Sequence, residues 1–365
     1  MDCLVGQFNK ETGWNEDNEL YNMCTTEKSL LDFKVPQGLQ MSVASLSTPN
    51  FANTYQIANR SGVNGYISYL YTSKELQNAL ASKAAELEVF MPGYHHLLPL
   101  KDPRKNRSVN RASLFYSRMY LPAKTLEALS VFRLSRRNQL VVSSVSTPKP
   151  QEFGALTVRL MQDLGRWSLE EVYCTKGGLV GLRGLYNFNY GQISAQSPKK
   201  QLSMARLSAG GEIYYGVLNK TGGLSAAIRY STVSANTSIP LQMALVTNPL
   251  SGHIAVSYAV KASKQMSFCS RMNFNIYSYE SNLTIGTEIW RSQGIHVDAN
   301  APASDKPLKK PTNVVKLSAD TASPSINCVW EGRYKDILFS TGASCRISDG
   351  LLKVGSIGVE FVYSR

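Results

Sequence analysis

The sequence has no long apolar run. It holds 365 residues, 43% of them hydrophobic, and its mean hydropathy is −0.19. No stretch approaches the roughly 20 mostly apolar residues that a transmembrane helix needs. Helical spans are therefore excluded, but barrel strands of about 9–11 alternating residues are not. Paired cysteines are lacking too. The six, at positions 3, 24, 174, 269, 328 and 345, make no CxxC and no recognisable disulfide framework, which leaves them as free thiols in a reducing setting. The start is no signal peptide, because Leu4-Val5 is not an apolar core. It is no transit peptide either, because Asp2, Glu11, Glu16, Asp17 and Glu19 make it acidic.

The sites of common chemistries are missing as well. No Gly-rich loop leads into Lys-Ser/Thr, and no Gly-x-Ser-x-Gly elbow occurs. Of the four histidines, His95 and His96 read as solvated loop residues with no further ligand nearby, and His253 as the lumen-facing start of a strand. These absences predict no enzyme, no metal and no cofactor.

Acid is in short supply. Lys and Arg number 39 against 26 Asp and Glu, a net charge of +13. The basic residues are mostly scattered, with Arg133/Arg136/Arg137 and Lys309-Lys310 among the clusters, and no helix-turn-helix or zinc pattern accompanies them. Nucleic acid is thus the weakest reading of the charge; anionic lipid, acidic partners or a basic lumen fit better.

What the sequence does have is alternation. Leu39, Met41 and Val43 oppose Gln40, Ser42 and Ala44; Ile254, Val256 and Tyr258 oppose His253, Ala255 and Ser257. Segments of this period begin near 29, 38, 51, 63, 111, 125, 138, 152, 167, 178, 202, 222, 239, 251, 266, 278, 325, 333 and 353. Their number predicts an all-β, up-and-down barrel of about 19 strands over residues 29–365, preceded by a partly helical segment, 1–28. Two interruptions read as loops: 74–110, opening with Leu76, Leu80, Ala84 and Leu87 at helical spacing, and 291–324, proline-rich and largely without order. Both follow even-numbered strands in this count and so leave the same side. Tyr69, Tyr71, Tyr116, Tyr120, Tyr186, Tyr190, Tyr277, Tyr279, Trp290 and Tyr363 sit near strand ends, as girdle residues of a membrane barrel do. A soluble propeller or tandem sandwich is the competing reading, but no blade-length repeat recurs.

The last strand carries the sharpest signal. Ile357, Val359, Phe361 and Tyr363 share one face and Gly358 and Glu360 the other, after Ser356. A polar residue, Gly two places on, and hydrophobics at the fifth and seventh places after it resemble the sorting signal of mitochondrial outer-membrane barrels. Ser356, Gly358, Phe361 and Tyr363 are the candidate signal and barrel seam, where glycine admits a close strand and a free edge templates strand addition. Tyr69, Tyr71, Tyr258 and Tyr277 are the candidate partner contacts. Arg229, Lys261, Arg271, Glu280, Glu288 and Glu360 are the candidate lumen charges, with the two strand glutamates expected to face Arg229 or Arg271. The acids of residues 1–28 could pair with lumen Arg229, Lys261 and Arg271, which would put that segment inside the barrel.

Several motifs together resemble the fungal mitochondrial distribution and morphology protein 10 family. They are Ser29-Leu-Leu-Asp-Phe33, Leu46-Ser-Thr-Pro-Asn50, Gly65-Tyr-Ile-Ser-Tyr-Leu-Tyr71, Asn248-Pro-Leu-Ser-Gly-His253, Phe274-Asn-Ile-Tyr-Ser-Tyr-Glu-Ser-Asn282 and Val329-Trp-Glu-Gly-Arg333. The resemblance implies a mitochondrial porin-class barrel of nineteen strands whose first and last strands pair in parallel. It implies a non-enzymatic role in the outer membrane with two sets of partners. One is the sorting and assembly machinery, including its core barrel, together with import translocase components. The other is the ER–mitochondria encounter structure, used for tethering and lipid exchange. An anion-preferring metabolite channel is the alternative, and a filled or open lumen separates the two.

Overall fold

The computed structural model describes residues 2–59, 62–75, 87–97, 111–148, 154–188, 204–233, 239–291, 311–348 and 351–364. Nineteen strands form one closed sheet. They are β1 (Gly38–Thr48), β2 (Phe51–Asn59), β3 (Val63–Thr72), β4 (Ala112–Leu121), β5 (Leu126–Arg133), β6 (Asn138–Ser146) and β7 (Ala155–Asp163). There follow β8 (Trp167–Cys174), β9 (Leu179–Asn187), β10 (Met204–Gly216), β11 (Thr221–Val233), β12 (Leu241–Asn248) and β13 (His253–Val260). The sheet is completed by β14 (Met266–Asn275), β15 (Ser281–Arg291), β16 (Asn313–Asp320), β17 (Ser325–Tyr334), β18 (Ile337–Ser348) and β19 (Leu351–Ser364). Sequential neighbours are antiparallel. The exception closes the ring: β1 pairs β19 in parallel, from Gly38 opposite Gly358 to Ala44 opposite Ser364.

The period of two sorts the wall. Leu39, Met41, Tyr55, Ile57, Tyr69 and Tyr71 are exposed on the outside, while Ser42, Ala44, Ala52, Ser68 and Leu70 are buried inside. An apolar outer surface around an inner one of mixed polar and apolar residues is consistent with a barrel whose solvent is hydrocarbon and whose lumen is filled. No helix among the described residues is long and apolar enough to cross a membrane. The segments 76–110 and 292–310 follow β3 and β15, both odd-numbered, and so leave the same end.

Two readings of the sequence are corrected. Residues 29–34 are not the first strand: Thr25–Leu31 is a helix, α2, and the barrel begins at Gly38. The adjacent Leu30 and Leu31 both bury, which a helix lying against a wall allows and an alternating strand does not. The stretch 291–324 is not all loop, since it contains β16, bracketed by Pro311 and Pro324. The two errors offset each other in the count of nineteen. Several expected girdle aromatics also turn inward. Tyr116 and Trp290 are buried, and Tyr120 accepts from Arg118 at 3.1 Å on the inner face. Tyr190 lies outside the described residues.

The interior is filled by the chain's own N-terminus, which makes one circuit of the inner wall. Helix α1 (Asp2–Thr12) buries Phe8, Asn9 and Thr12, the spacing of one helical face. It stops at Gly13, whose φ of +68° suits the left-handed cap. Phe8 and Trp14 pack against the inner faces of β2 to β7, including Leu70, Leu114 and Met161. Met23 packs on Leu185 and Ala227 of β9 and β11. Leu30 and Leu31 pack on Ala259 and Cys269 of β13 and β14. The chain then reaches Pro36, beside β18 and β19, and enters β1. Where it presses closest the wall has glycine: a Cβ at Gly286 would lie 2.6 Å from Leu31 Cδ2.

Candidate functional site

The lumen is held by polar contacts at each stage of the circuit. Arg133 stacks on the Trp14 ring, 4.2 Å from its centroid. Asn18 donates to Asp163 at 2.6 Å and accepts from Asn187 at 2.7 Å. Arg206 and Arg229, from β10 and β11, both donate to the Asp17 carbonyl, at 3.2 and 3.0 Å. Thr26 donates to Gln242 at 2.8 Å. Arg271 binds both carboxylate oxygens of Asp32 at 2.7 Å. Arg229 has 0% exposure. A guanidinium so placed needs partners, and the N-terminal backbone supplies one.

A second insert enters from the connection after β3. Residues 87–97 open with a short helix, α3 (Leu87–Phe90). Leu87 and Met91 pack on Trp290, Val314 and Leu338 of β15, β16 and β18. Ser29 donates to the Gly93 carbonyl at 2.8 Å, and Lys316 donates to the Pro92 carbonyl. His95 is therefore no solvated loop residue: its Nε2 lies 2.7 Å from Asp17 Oδ1. That contact holds the His95 pKa above its ordinary value, against the opposing effect of burial. His96 has the reverse sign, pushed down by burial and then by Lys261. Burial raises the Glu19 carboxyl to about 8, even though Trp14 Nε1 donates to it at 2.6 Å.

The predicted lumen charges separate. Arg229, Arg271, Glu288 and Glu360 face inward. Glu288 accepts from Trp290 Nε1 and from the Tyr94 amide, not from Arg229 or Arg271. Glu360 lies 3.4 Å from Gln56 Nε2, beside the seam. Lys261 follows β13 at the rim, its amide bonded to the Pro240 carbonyl. Glu280 is not a lumen charge. It lies in the exposed turn between β14 and β15 and accepts from Ser278 at 3.2 Å. Glu280 has the parity of Glu288, but β15 starts only at Ser281, so Glu280 belongs to the residues that reverse the chain. The acids of the N-terminal segment pair otherwise than expected: Asp17 meets Arg229 through its carbonyl and His95 through its carboxylate.

The four seam residues lie on β19. Ser356, opposite Ser344, is half-buried. Gly358 lies under the chain entering β1, where a Cβ would stand 2.5 Å from the Pro36 carbonyl carbon and 2.6 Å from the Gln37 nitrogen. Phe361 and Tyr363 face outward and are exposed.

The four tyrosines do not form one patch. Tyr69 stacks on Phe51 at 6.0 Å and Tyr71 on Phe115 at 6.3 Å, and Phe115 meets Phe132 edge-on at 5.4 Å. An aromatic ridge thus crosses the outside of β2 to β5. Tyr258 projects outward from β13, eight strands from either edge of that ridge. Tyr277 lies in the β14–β15 turn, its hydroxyl donating to the Pro249 carbonyl at 3.0 Å, at the barrel end opposite the one that Tyr71 approaches. No group of acidic, His or Cys side chains among the described residues is arranged to hold a metal.

Comparison with known proteins gives a family match over the whole chain. The sequence model described as mitochondrial distribution and morphology protein 10 matches residues 1–309 and 304–365. The proteins of that name from Sclerotinia sclerotiorum and Yarrowia lipolytica are 36% and 37% identical, each alignment covering 100% of this chain and 99% of the relative. The Candida albicans (strain SC5314) protein is 38% identical over 80% of this chain and 63% of its own length.

Proposed function

The chain belongs to the mitochondrial distribution and morphology protein 10 family, and on that premise we propose that it is a non-enzymatic scaffold of the mitochondrial outer membrane. In this reading it is a subunit of the sorting and assembly machinery, where it supports assembly of barrels and of the import translocase. It also anchors the ER–mitochondria encounter structure, serving tethering, lipid exchange and mitochondrial morphology. The observation that carries the reading is the self-filled lumen behind an apolar outer wall. A barrel occupied by its own residues 8–36 and 87–97 has given its interior to packing and left its outside for partners. The anion channel has that filling against it.

The aromatic ridge of Phe51, Tyr69, Tyr71 and Phe115 is the first contact surface in this proposal, and Tyr258 and Tyr277 are separate ones. Terminal-strand residues Ser356, Gly358, Phe361 and Tyr363 act first as the sorting edge and then as the seam. The test is co-purification of the full chain carrying Tyr69→Ala and Tyr71→Ala from mitochondria. Loss of one or both assemblies, with the barrel still resistant to alkaline carbonate, supports the scaffold. Unchanged recovery of both removes this surface, and extraction by carbonate removes the membrane reading itself.

A further inference from the structure

The outer wall carries one carboxylate, and no Lys, Arg or His, where the sheet faces away from the lumen in mid-strand, among the described residues. On β8 the outward phase runs Trp167, Leu169, Glu171, Tyr173, while Ser168, Glu170 and Val172 are buried inside. Glu170 has Arg183 at 3.2 Å. Glu171 is exposed on the other face, paired in register with Leu160 of β7 and Leu182 of β9. It has no hydrogen-bond or ion-pair partner among the described residues. Its depth is fixed by the aromatics of its own strand: four residues from Trp167 and two from Tyr173 are about 13 and 7 Å of strand. That is between the two aromatic levels, nearer that of Tyr173.

The surface around it is concave. Glu171 opens on a hollow of about 670 Å³ walled by Leu160, Tyr173, Leu182, Ile213 and Tyr215. A second hollow of about 310 Å³ continues along the wall between Trp167 and Tyr186, floored by Gly184 and Ala209. A Cβ added at Gly184 would meet nothing within 4 Å. Glycine and alanine there let a second backbone come close, as at helix contacts within membranes.

We propose that the outer groove of β8 to β10 docks a membrane-spanning helix of a partner that carries one basic side chain at mid-depth, with Glu171 as its counter-charge. The inference rests on the scaffold reading and names a surface which that reading does not use. Charge complementarity selects the occupant. A carboxyl turned toward hydrocarbon is costly unless paired, and ionisable groups at that depth mark contacts. A phospholipid brings its ammonium at headgroup level, level with Trp167 or Tyr173 rather than between them. A second copy of this chain would bring two carboxyls together. A straight helix about 10 Å across suits a groove that runs from one aromatic rim to the other.

The experiment uses the full chain refolded in vesicles of mixed phosphatidylcholine and phosphatidylethanolamine with a fluorescent single-span Leu/Ala helix, in two forms that differ only in Lys or Leu at the central position. Energy transfer is expected to show the Lys helix binding the barrel at least tenfold more tightly than the Leu helix. Glu171→Gln should remove that preference, Gly184→Leu should weaken the Lys helix, and Leu283→Gln on the far wall should change nothing. Equal binding of both helices, or a preference that survives Glu171→Gln, overturns the proposal. So does Glu171-dependent enrichment of phosphatidylethanolamine, or Glu171-dependent self-association, without Lys-helix binding. Failure of the refolded barrel to float with the vesicles overturns the membrane reading as well, and so separates the two failures.

Discussion

The Arg271 guanidinium grips the Asp32 carboxylate with two parallel hydrogen bonds of 2.7 Å, joining the end of the N-terminal circuit to β14. The pair is bidentate but partly open, Asp32 being 45% and Arg271 17% exposed in their side chains. Its contribution is about 0.5–1 kcal/mol, a factor of roughly 2–5 in local opening. Asp32→Asn and Arg271→Gln should each speed hydrogen exchange of the α2 amides by that factor, and the double variant should add little to either single one. Additive effects would mean that the two side chains stabilise α2 independently.

A filled lumen should conduct poorly. In planar bilayers the full chain is expected to show small or no steady conductance. Deletion of residues 2–35 should raise it and favour anions, because Arg133, Arg206, Arg229 and Arg271 lose their lumen partners. Deletion of 87–97 in addition should raise it again, since that insert occupies the side near β15 to β18 on its own. A large open conductance from the intact chain would contradict the plug and favour the channel.

Most of the wall could be read from the sequence and most of the plug could not, for one physical reason. A strand between hydrocarbon and a polar lumen must alternate, so β1, β13 and β14 declare themselves. The alternation fades where the lumen is apolar. Val314 on β16 is 0% exposed beneath Leu87 and Met91, so Val314 and Val315 are both hydrophobic and the strand has no clean period. The reverse happened at Leu30–Lys34, where a short apolar run fits helix or strand equally. The His95–Asp17 contact spans 78 residues of sequence and depends on two inserts meeting inside the barrel, which no local pattern records. Glu171 carries no local signal, since either acid of Glu170-Glu171 fits the lumen face by sequence and only the burial of Glu170 turns Glu171 outward.

The docking of the two inserts should weaken as the medium becomes alkaline. His95 is held above its ordinary 6.5 by Asp17. Its contribution is full below 6.5 and is lost as pH rises through the elevated value. Glu19, raised from 4.5 to about 8 by burial, has the same sign: its contribution is full below 4.5 and gone above about 8. His96, lowered by burial, opposes them, because its contribution is present above 6.5 and lost on acidification. Exchange of amides in residues 14–31 and 87–97 should therefore quicken from about pH 4.5 to 8 through Glu19, with His95 adding to the rise above 6.5. Glu19→Gln should flatten the rise below pH 6.5, where Glu19 acts before His95, and His95→Gln should flatten only the part above 6.5. A wild-type profile with no change across this range, after correction for intrinsic exchange, would remove both groups from the docking.

Closure of the barrel should depend on Gly358 more than on the aromatics beside it. The chain enters β1 across the face of Gly358, and a Cβ there would meet backbone on both sides of the Pro36–Gln37 peptide. Backbone has no rotamer with which to give way, so relief requires moving Pro36 and with it the parallel register from Gly38 to Ala44. Overpacking of this kind costs about 1–3 kcal/mol, and the parallel β1–β19 pairing is the natural place for it to be released. Gly358→Val should thus shift the unheated electrophoretic band toward the unfolded position and slow membrane integration of the imported chain. Phe361→Ala removes an outward ring and leaves the inner contact intact. It should keep the folded band, and its integration rate then reports the sorting edge separately from the seam. If Gly358→Val closes and integrates at the wild-type rate, the approach of Pro36 to Gly358 does not govern closure.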